Sequence, residues 1–209
     1  MKFYDCMTAP SPRRVRMFIA EKGIDVSVVE VDLANLEQRT EAFKNTNPHG
    51  TVPVLVLDNG ASLTSSVGIM RYLESEYPEP PLYGKSSHER GRIADLDWRI
   101  EQEGFSAVGE AFRNRAKSFA NRALTGKHEH AQIPELIERG KKRTLEFFNW
   151  LDQELDGKDY VAGNDFSVAD ITAIVTVDFA QWIKLQPHDD LGNLHRWYKS
   201  VSSRPSAAL

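Results

Sequence analysis

Residues 51–63 read Thr51-Val52-Pro53-Val54-Leu55-Val56-Leu57-Asp58-Asn59-Gly60-Ala61-Ser62-Leu63. A β-branched apolar run over 51–57, then Asp-Asn-Gly, then a short second run over 61–63, is the pattern of a β-hairpin. Pro53 is the anomaly in it. Proline removes a ladder donor, so it belongs at the first residue of a strand, on an edge or at a bulge. A cis Val52–Pro53 bond would also accommodate it, since cis costs only ~0.5–1 kcal/mol before proline. One reading is a plain edge strand; the other leaves the backbone of Val52 free to pair with an extended, peptide-like ligand.

Working outward, the flanking segments supply the rest of a small α/β unit. Residues 2–6 and the β-branched 26–31 read as strands. Residues 12–22 place Val15, Phe18 and Ile19 at helical spacing, and Gly23 stops that helix at its C′ position. Residues 36–45 carry a weaker helical pattern. Residues 64–77 form a helix bearing Val67, Met70, Leu73 and Tyr77. The predicted order β-α-β-α-β-β-α is that of an α/β sandwich.

Tyr77-Pro78-Glu79-Pro80-Pro81 then interrupts the pattern, because such a proline cluster cannot continue a helix and forms a stiff connector. Beyond it the periodicity is helical throughout, over 88–120, 133–155, 167–185 and 191–202. The expected organisation is an α/β domain over 1–78, a proline-rich linker over 79–87 and an all-helical domain over 88–209. Within the last, Phe166-Ser167-Val168-Ala169-Asp170-Ile171 is a capping box with a hydrophobic staple, a folding device.

Composition narrows the class. The 209 residues are 41% hydrophobic and 27% charged, which excludes disordered, collagen-like and coiled-coil chains. Net charge is −4, with 8 basic and 11 acidic residues in 1–80 and 18 and 19 in 81–209. No basic half exists to grip phosphates, so nucleic acid is not an expected partner. The single cysteine, Cys6, excludes an intramolecular disulfide framework and fits a reducing compartment. No apolar run is long enough for a membrane span, and the first ten residues are not a signal peptide, so a cytoplasmic protein is expected. His128 and His130 lack the further ligands of a metal site, and a solvated loop is expected there. No Gly-x-Ser-x-Gly elbow or phosphate-cradling glycine loop occurs.

Two further stretches bear on chemistry. In Thr8-Ala9-Pro10-Ser11-Pro12-Arg13-Arg14, Ser11 reads as a helix N-cap with Pro12 at N1. It either only caps, or stands at a helix N-terminus that favours an anion such as a thiolate. Arg13 and Arg14 are expected at the surface, and Cys6 as a buried strand cysteine. In Leu63-Thr64-Ser65-Ser66, either serine caps the third helix, with or without a carboxylate on its free amides.

Together these elements resemble the cytosolic glutathione S-transferases. The resemblance rests on the Ser11–Arg16 helix start, Asn47-Pro48-His49-Gly50-Thr51-Val52-Pro53, the Ser65-Ser66 helix opening, the proline linker and the box at 166–171, and it spans nearly the whole chain. Its wording is most similar to bacterial and fungal enzymes of the yeast class-two type. The resemblance implies a thioredoxin-like first domain, a helical-bundle second domain and a homodimer that serves detoxification. It implies glutathione as co-substrate, with no other cofactor or metal, and a small hydrophobic electrophile. Val52, beside a cis Pro53, would pair with the cysteinyl part of glutathione. Ser65 and Ser66 would hold the γ-glutamyl carboxylate, and His49 would lie near the glycyl carboxylate. Phe105, Phe112 and Arg113 are placed beside the second substrate.

Two positions depart from the family pattern. Ser65 stands where most members carry an acid that meets the ligand's ammonium group. No tyrosine occupies the tyrosine-type catalytic position, and Gly109 and Arg113 stand where the yeast-like relatives have their serine and histidine. Ser11, at about the place of the beta-class cysteine, is the expected thiol activator. Lowering a thiol pKa of ~8.5 by about two units takes ~2.7 kcal/mol. A hydrogen bond to the thiolate supplies ~1.5–3 kcal/mol and a helix N-terminus ~0.3–1 kcal/mol, which suffices. The other readings are a non-catalytic scaffold that binds glutathione weakly or binds a protein partner, and a glutathione-dependent disulfide reductase or isomerase working through Cys6.

Overall fold

The computed structural model describes all residues from Met1 to Leu209. It contains two compact units, Met1–Pro80 with Thr125–His128 and Leu209, and Pro81–Leu124 with Glu129–Ala208. No helix is long and apolar enough to cross a membrane.

The first unit follows the predicted element order. It comprises β1 (Lys2–Asp5), α1 (Pro10–Glu21), β2 (Ser27–Glu30), α2 (Glu41–Lys44), β3 (Val54–Val56), β4 (Ser62–Leu63) and α3 (Ser66–Glu76). The strands form one sheet in the order β2-β1-β3-β4. β1 runs parallel to β2, with Phe3 opposite Val28, and antiparallel to β3, with Phe3 opposite Leu55; β3 and β4 form the hairpin, Leu55 opposite Leu63. This is a thioredoxin-like arrangement. Period-two alternation in β1 sends Phe3 and Asp5 inward. Phe3, Val15, Phe18, Leu55, Ile69, Met70 and Leu73 are almost wholly buried. A second cluster of Val31, Phe43 and Val54 has Tyr4, Leu33, Val52 and Val56 packed against it.

The helix ends show where local chemistry prevailed. α1 closes in a Schellman motif, with Gly23 at φ +62°. Its N–H donates to the Ala20 carbonyl and the Ile24 N–H to the Ile19 carbonyl, each at 3.1 Å. The start of α1 differs from expectation: Ala9 is the N-cap and Pro10, not Pro12, occupies N1. Ser11 therefore lies inside the first turn. Pro10 satisfies the N1 preference as well as Pro12 does, and the helix begins there, two residues earlier than expected. The weak pattern over 36–45 resolves into a 3₁₀ turn at Glu37–Arg39 and the single turn of α2. The strand expected over 51–57 is paired only from Val54, after the proline.

The second unit is helical: α4 (Ser87–Arg99), α5 (Ser106–Arg115), α6 (Glu135–Glu154), α7 (Val168–Ala180) and α8 (Gly192–Ser202). The span 88–120 is not one α-helix, because residues Ile100–Phe105 form a π-helical segment joining α4 to α5. α7 is the core helix, buried at nearly every position. Its box forms: the Asp170 carboxylate accepts from the Ser167 N–H at 3.0 Å, the Val161 N–H at 2.9 Å and Trp197 Nε1 at 2.8 Å. Close approach of α5 and α6 is set at Gly140, where an added Cβ would lie 2.6 Å from the Ala107 carbonyl oxygen.

Candidate functional site

In the first unit, the N-terminal ends of α1 and α3 meet. Ser66, buried, donates its hydroxyl to the carbonyl of Ser11 at 3.2 Å. Two serines read separately from the sequence thus belong to one place. The flanking prolines give the α1 end an unusual property. Pro10 and Pro12 have no N–H, and the Arg13 N–H is returned to Ala9, so the Ser11 amide is the free donor of that turn. The Ser11 hydroxyl is likewise unused by the chain, and its side chain is half-buried.

At the α3 end, Ser65 is the N-cap and accepts from the Gly68 N–H at 3.1 Å. Gly68 is needed for that bond, since a Cβ there would stand 2.9 Å from Ser65 Oγ. The amides of Ser66 and Val67 remain open, positive ends of an eleven-residue helix.

The third element is the loop before β3. The Val52–Pro53 bond is cis. Neither the N–H nor the carbonyl of Val52 bonds to another part of the chain. Asn47, fully buried, organises the approach to it. Its amide donates to the Thr51 carbonyl at 2.7 Å and Thr51 Oγ1 at 3.0 Å, and accepts from the His49 N–H at 3.0 Å. His49 itself is exposed. Asn47 was not singled out as a site residue in the sequence, although asparagine two residues ahead of a turn donor is the mark of an Asx turn.

The loop between β1 and α1 is held from beneath by a buried ion pair. Arg16 Nη1 lies 2.6 Å from Asp5 Oδ1, and its other contacts are the carbonyls of Cys6 at 3.3 Å and Met7 at 3.0 Å. Asp5 also accepts the Cys6 N–H at 2.7 Å. Burial pushes the Asp5 carboxyl above its ordinary range, against the opposing pull of Arg16. Cys6 is buried as expected, with Thr8 Oγ1 3.5 Å from its sulfur. Arg14, expected at the surface, is instead buried at 5% exposure. Nothing in a one-dimensional pattern of basic residues on an amphipathic helix distinguishes an inward arginine from an outward one.

In the second unit, Phe105 and Phe112 do come together, through Phe179. The centroid separations are 5.5 Å for Phe105–Phe179, 5.6 Å for Phe112–Phe179 and 5.0 Å for Phe112–Trp182. Arg113 is folded back onto its own loop: Nε donates to the Ala123 carbonyl at 3.2 Å, and Nη2 to those of Arg122 at 2.6 Å and Leu124 at 2.9 Å. Its guanidinium lies 4.3 Å above Phe119.

Two helix N-termini joined through serines, beside an unpaired backbone edge at a cis-proline, form a pattern that comparison with known proteins then identifies. Residues 3–81 match the model of the glutathione S-transferase N-terminal domain, and residues 106–205 that of the glutathione S-transferase C-terminal domain. The chain belongs to the glutathione S-transferase family. It is 35% identical to glutathione S-transferase 2 of Saccharomyces cerevisiae, over 99% of this chain and 87% of the yeast protein. Glutathione S-transferase D6 of Drosophila melanogaster is 31% identical, over 96% of this chain and 86% of its own. Among solved structures, Gtt2 of Saccharomyces cerevisiae superposes with a TM-score of 0.90 at 33% identity, covering 100% of this chain and 99% of that one. A glutathione S-transferase domain-containing protein of Marinobacter aquaeolei gives the same TM-score at 35% identity, with 99% of both chains covered. The chain's structural neighbours include Gtt2-like glutathione S-transferases.

Proposed function

We propose that the protein is a glutathione transferase in which the thiolate of glutathione attacks an electrophilic carbon of a small apolar substrate. The observation that carries this is the junction of α1 and α3 through Ser66 and Ser11, with free amides on both helix ends. In this reading residues 1–78 hold glutathione, residues 79–87 are a connector and residues 88–209 hold the electrophile. Val52 pairs its free backbone with the cysteinyl residue of glutathione beside Pro53. Ser65, Ser66 and the open α3 amides receive the γ-glutamyl carboxylate, and His49 lies toward the glycyl carboxylate.

Ser11 activates the thiol. Its hydroxyl and its amide can both donate to a sulfur anion, and the α1 dipole adds to them. The revised position inside the first turn suits this role, because a capping hydroxyl would have been committed to the helix. The burial of Cys6 speaks for conjugation over thiol exchange. A homodimer, a cytoplasmic location and a detoxifying role complete the proposal.

Calorimetric titration with reduced glutathione at neutral pH tests binding first. A dissociation constant at or below ~1 mM, about −4 kcal/mol, is expected. An absence of heat at several temperatures would favour a non-catalytic scaffold, for which the missing acid at Ser65 is the motive. Ser11→Ala should raise the pKa of the bound thiol by about 1–2 units, read from thiolate absorbance, since a hydrogen bond to a charged group contributes ~1.5–3 kcal/mol. An unchanged thiol pKa and unchanged turnover would remove Ser11 from the mechanism.

A further inference from the structure

The turn between β1 and α1 is fixed more firmly than its exposure requires. Met7 is 56% exposed, and Thr8 beside it is exposed as well. A turn at the surface can leave its backbone groups to water. Here all four backbone polar groups of Cys6 and Met7 are bound within the chain. The Cys6 N–H donates to Asp5 Oδ1 at 2.7 Å, and the Met7 N–H to Glu30 Oε1 at 2.9 Å. The Cys6 carbonyl accepts from the Ala9 N–H at 2.9 Å and from Arg16 Nη1 at 3.3 Å. The Met7 carbonyl accepts from Arg16 Nη2 at 3.0 Å.

The three charged side chains come from three elements, β1, β2 and α1. Asp5 and Glu30 stand opposite each other as the last residues of two parallel strands, so the grip on the turn comes from one end of the sheet. Asp5 and Arg16 are buried, whereas Glu30 is an exposed carboxylate on an edge strand. Ala9, which closes the turn, is the N-cap of α1, and Ser11 follows two residues later with its amide and hydroxyl unused by the chain. The aim of those two donors is inherited from the turn. Donors set in advance toward a developing anion need no reorganisation when it forms, and a small misplacement forfeits much of their effect.

We propose that Glu30 is a positioning residue for the transferase reaction: by holding the Met7 amide it completes, with Asp5 and Arg16, the clamp that aims the Ser11 donors at the glutathione sulfur. This rests on the reading of Ser11 as the thiol activator and names what fixes it in place.

Glu30 carries the test, because it is exposed and its removal strands no buried charge. With reduced glutathione bound, Glu30→Ala should raise the thiol pKa by about half a unit, a roughly threefold loss of thiolate below that pKa. Glu30→Gln keeps an acceptor for the Met7 amide without the charge, and should restore most of the shift. In a Ser11→Ala background, Glu30→Ala should add nothing, since a residue acting through Ser11 has nothing left to position. Amide exchange in the ligand-free protein gives a second reading: the Met7 amide should exchange about tenfold faster in Glu30→Ala. An unmoved thiol pKa in Glu30→Ala overturns the proposal and leaves the transferase reading intact, as does unchanged Met7 exchange. A shift as large in Glu30→Gln as in Glu30→Ala, or one that persists at full size without the Ser11 hydroxyl, would make the effect one of charge and also overturn it. A bound thiol in the parent protein at its ordinary pKa of ~8.5 would count against the transferase reading, and the positioning role would fall with it.

Discussion

At the scale of single residues, the pair Asp5–Arg16 has the largest expected energetic consequence. Both side chains are buried, and Arg16 serves two carbonyls of the loop that leads to Ser11 as well as the carboxylate. Removing one member strands the other in the interior, which typically costs ~3–5 kcal/mol, whereas replacing both with apolar groups is far milder. Arg16→Leu should therefore lower stability by about that amount in urea unfolding. The double variant with Asp5→Leu should recover more than half of the loss. A double variant as unstable as the sum of the singles would show that the two do not act as a pair. Neither residue was legible as a site member in the sequence. An aspartate at the inward register of a short strand and an arginine on an apolar helix face each look like a surface residue until the packing is known.

At the scale of elements, α5 and α6 test close packing and α7 tests a buried charge. Gly140→Ala would place a methyl group 2.6 Å from one backbone atom of α5 and 2.8 Å from another, the Ala111 nitrogen. Backbone cannot step aside as a side chain can, so a loss of about 1–3 kcal/mol is expected. Thermal melting unchanged within error would mean that the helices separate at no cost. Asp170 gives a pH signature. Burial pushes its carboxyl up to about 6 from an ordinary 3.8, against hydrogen bonds from Val161, Trp197 and Ser167 that pull it down. The unfolded chain gives up this proton first, so between about pH 4 and pH 6 the folded state holds more protons and stability from this group falls as pH rises. The full effect is roughly 3 kcal/mol. The stability advantage of the parent protein over Asp170→Asn should shrink by about that much across the window. A constant difference from pH 4 to pH 7 would refute the shift. The box itself was readable in the sequence, because a cap, an acid three residues on and flanking apolar residues are all local. The π-helical turn at Ile100–Phe105 was not, since its apolar spacing is as helical as its neighbours.

At the scale of the whole molecule, assembly is the property to measure. Trp98 on α4 is the most exposed of the large apolar side chains, at 61%. A lone exposed aromatic needs no explanation of its own, but in the proposed homodimer Trp98 is the first side chain to test as an interface contact. A homodimer of about 47 kDa, twice the 23.6 kDa of the chain, is expected by sedimentation equilibrium at micromolar concentration. Trp98→Ala should shift that equilibrium toward monomer. A parent protein that sediments as a 23.6 kDa species would end the dimer proposal.

The sequence alone determined the order of elements, the fold class and the family. Those depend on local terms, namely periodicity, glycine and proline punctuation and capping pairs, which act within about four residues and leave a mark in one dimension. Even so, Ser11 shows where local terms tie: Pro10 and Pro12 both suit N1, and the helix starts at Pro10. The tertiary structure alone decided that Ser66 meets Ser11, that Asp5 finds Arg16, and that two arginines share one phenylalanine without an acid between them. The first two of these join residues 55 and 11 positions apart by burial and charge, and the third brings together two arginines nine positions apart. Such contacts depend on which faces pack together, and that information is carried by the whole core rather than by any segment of the chain.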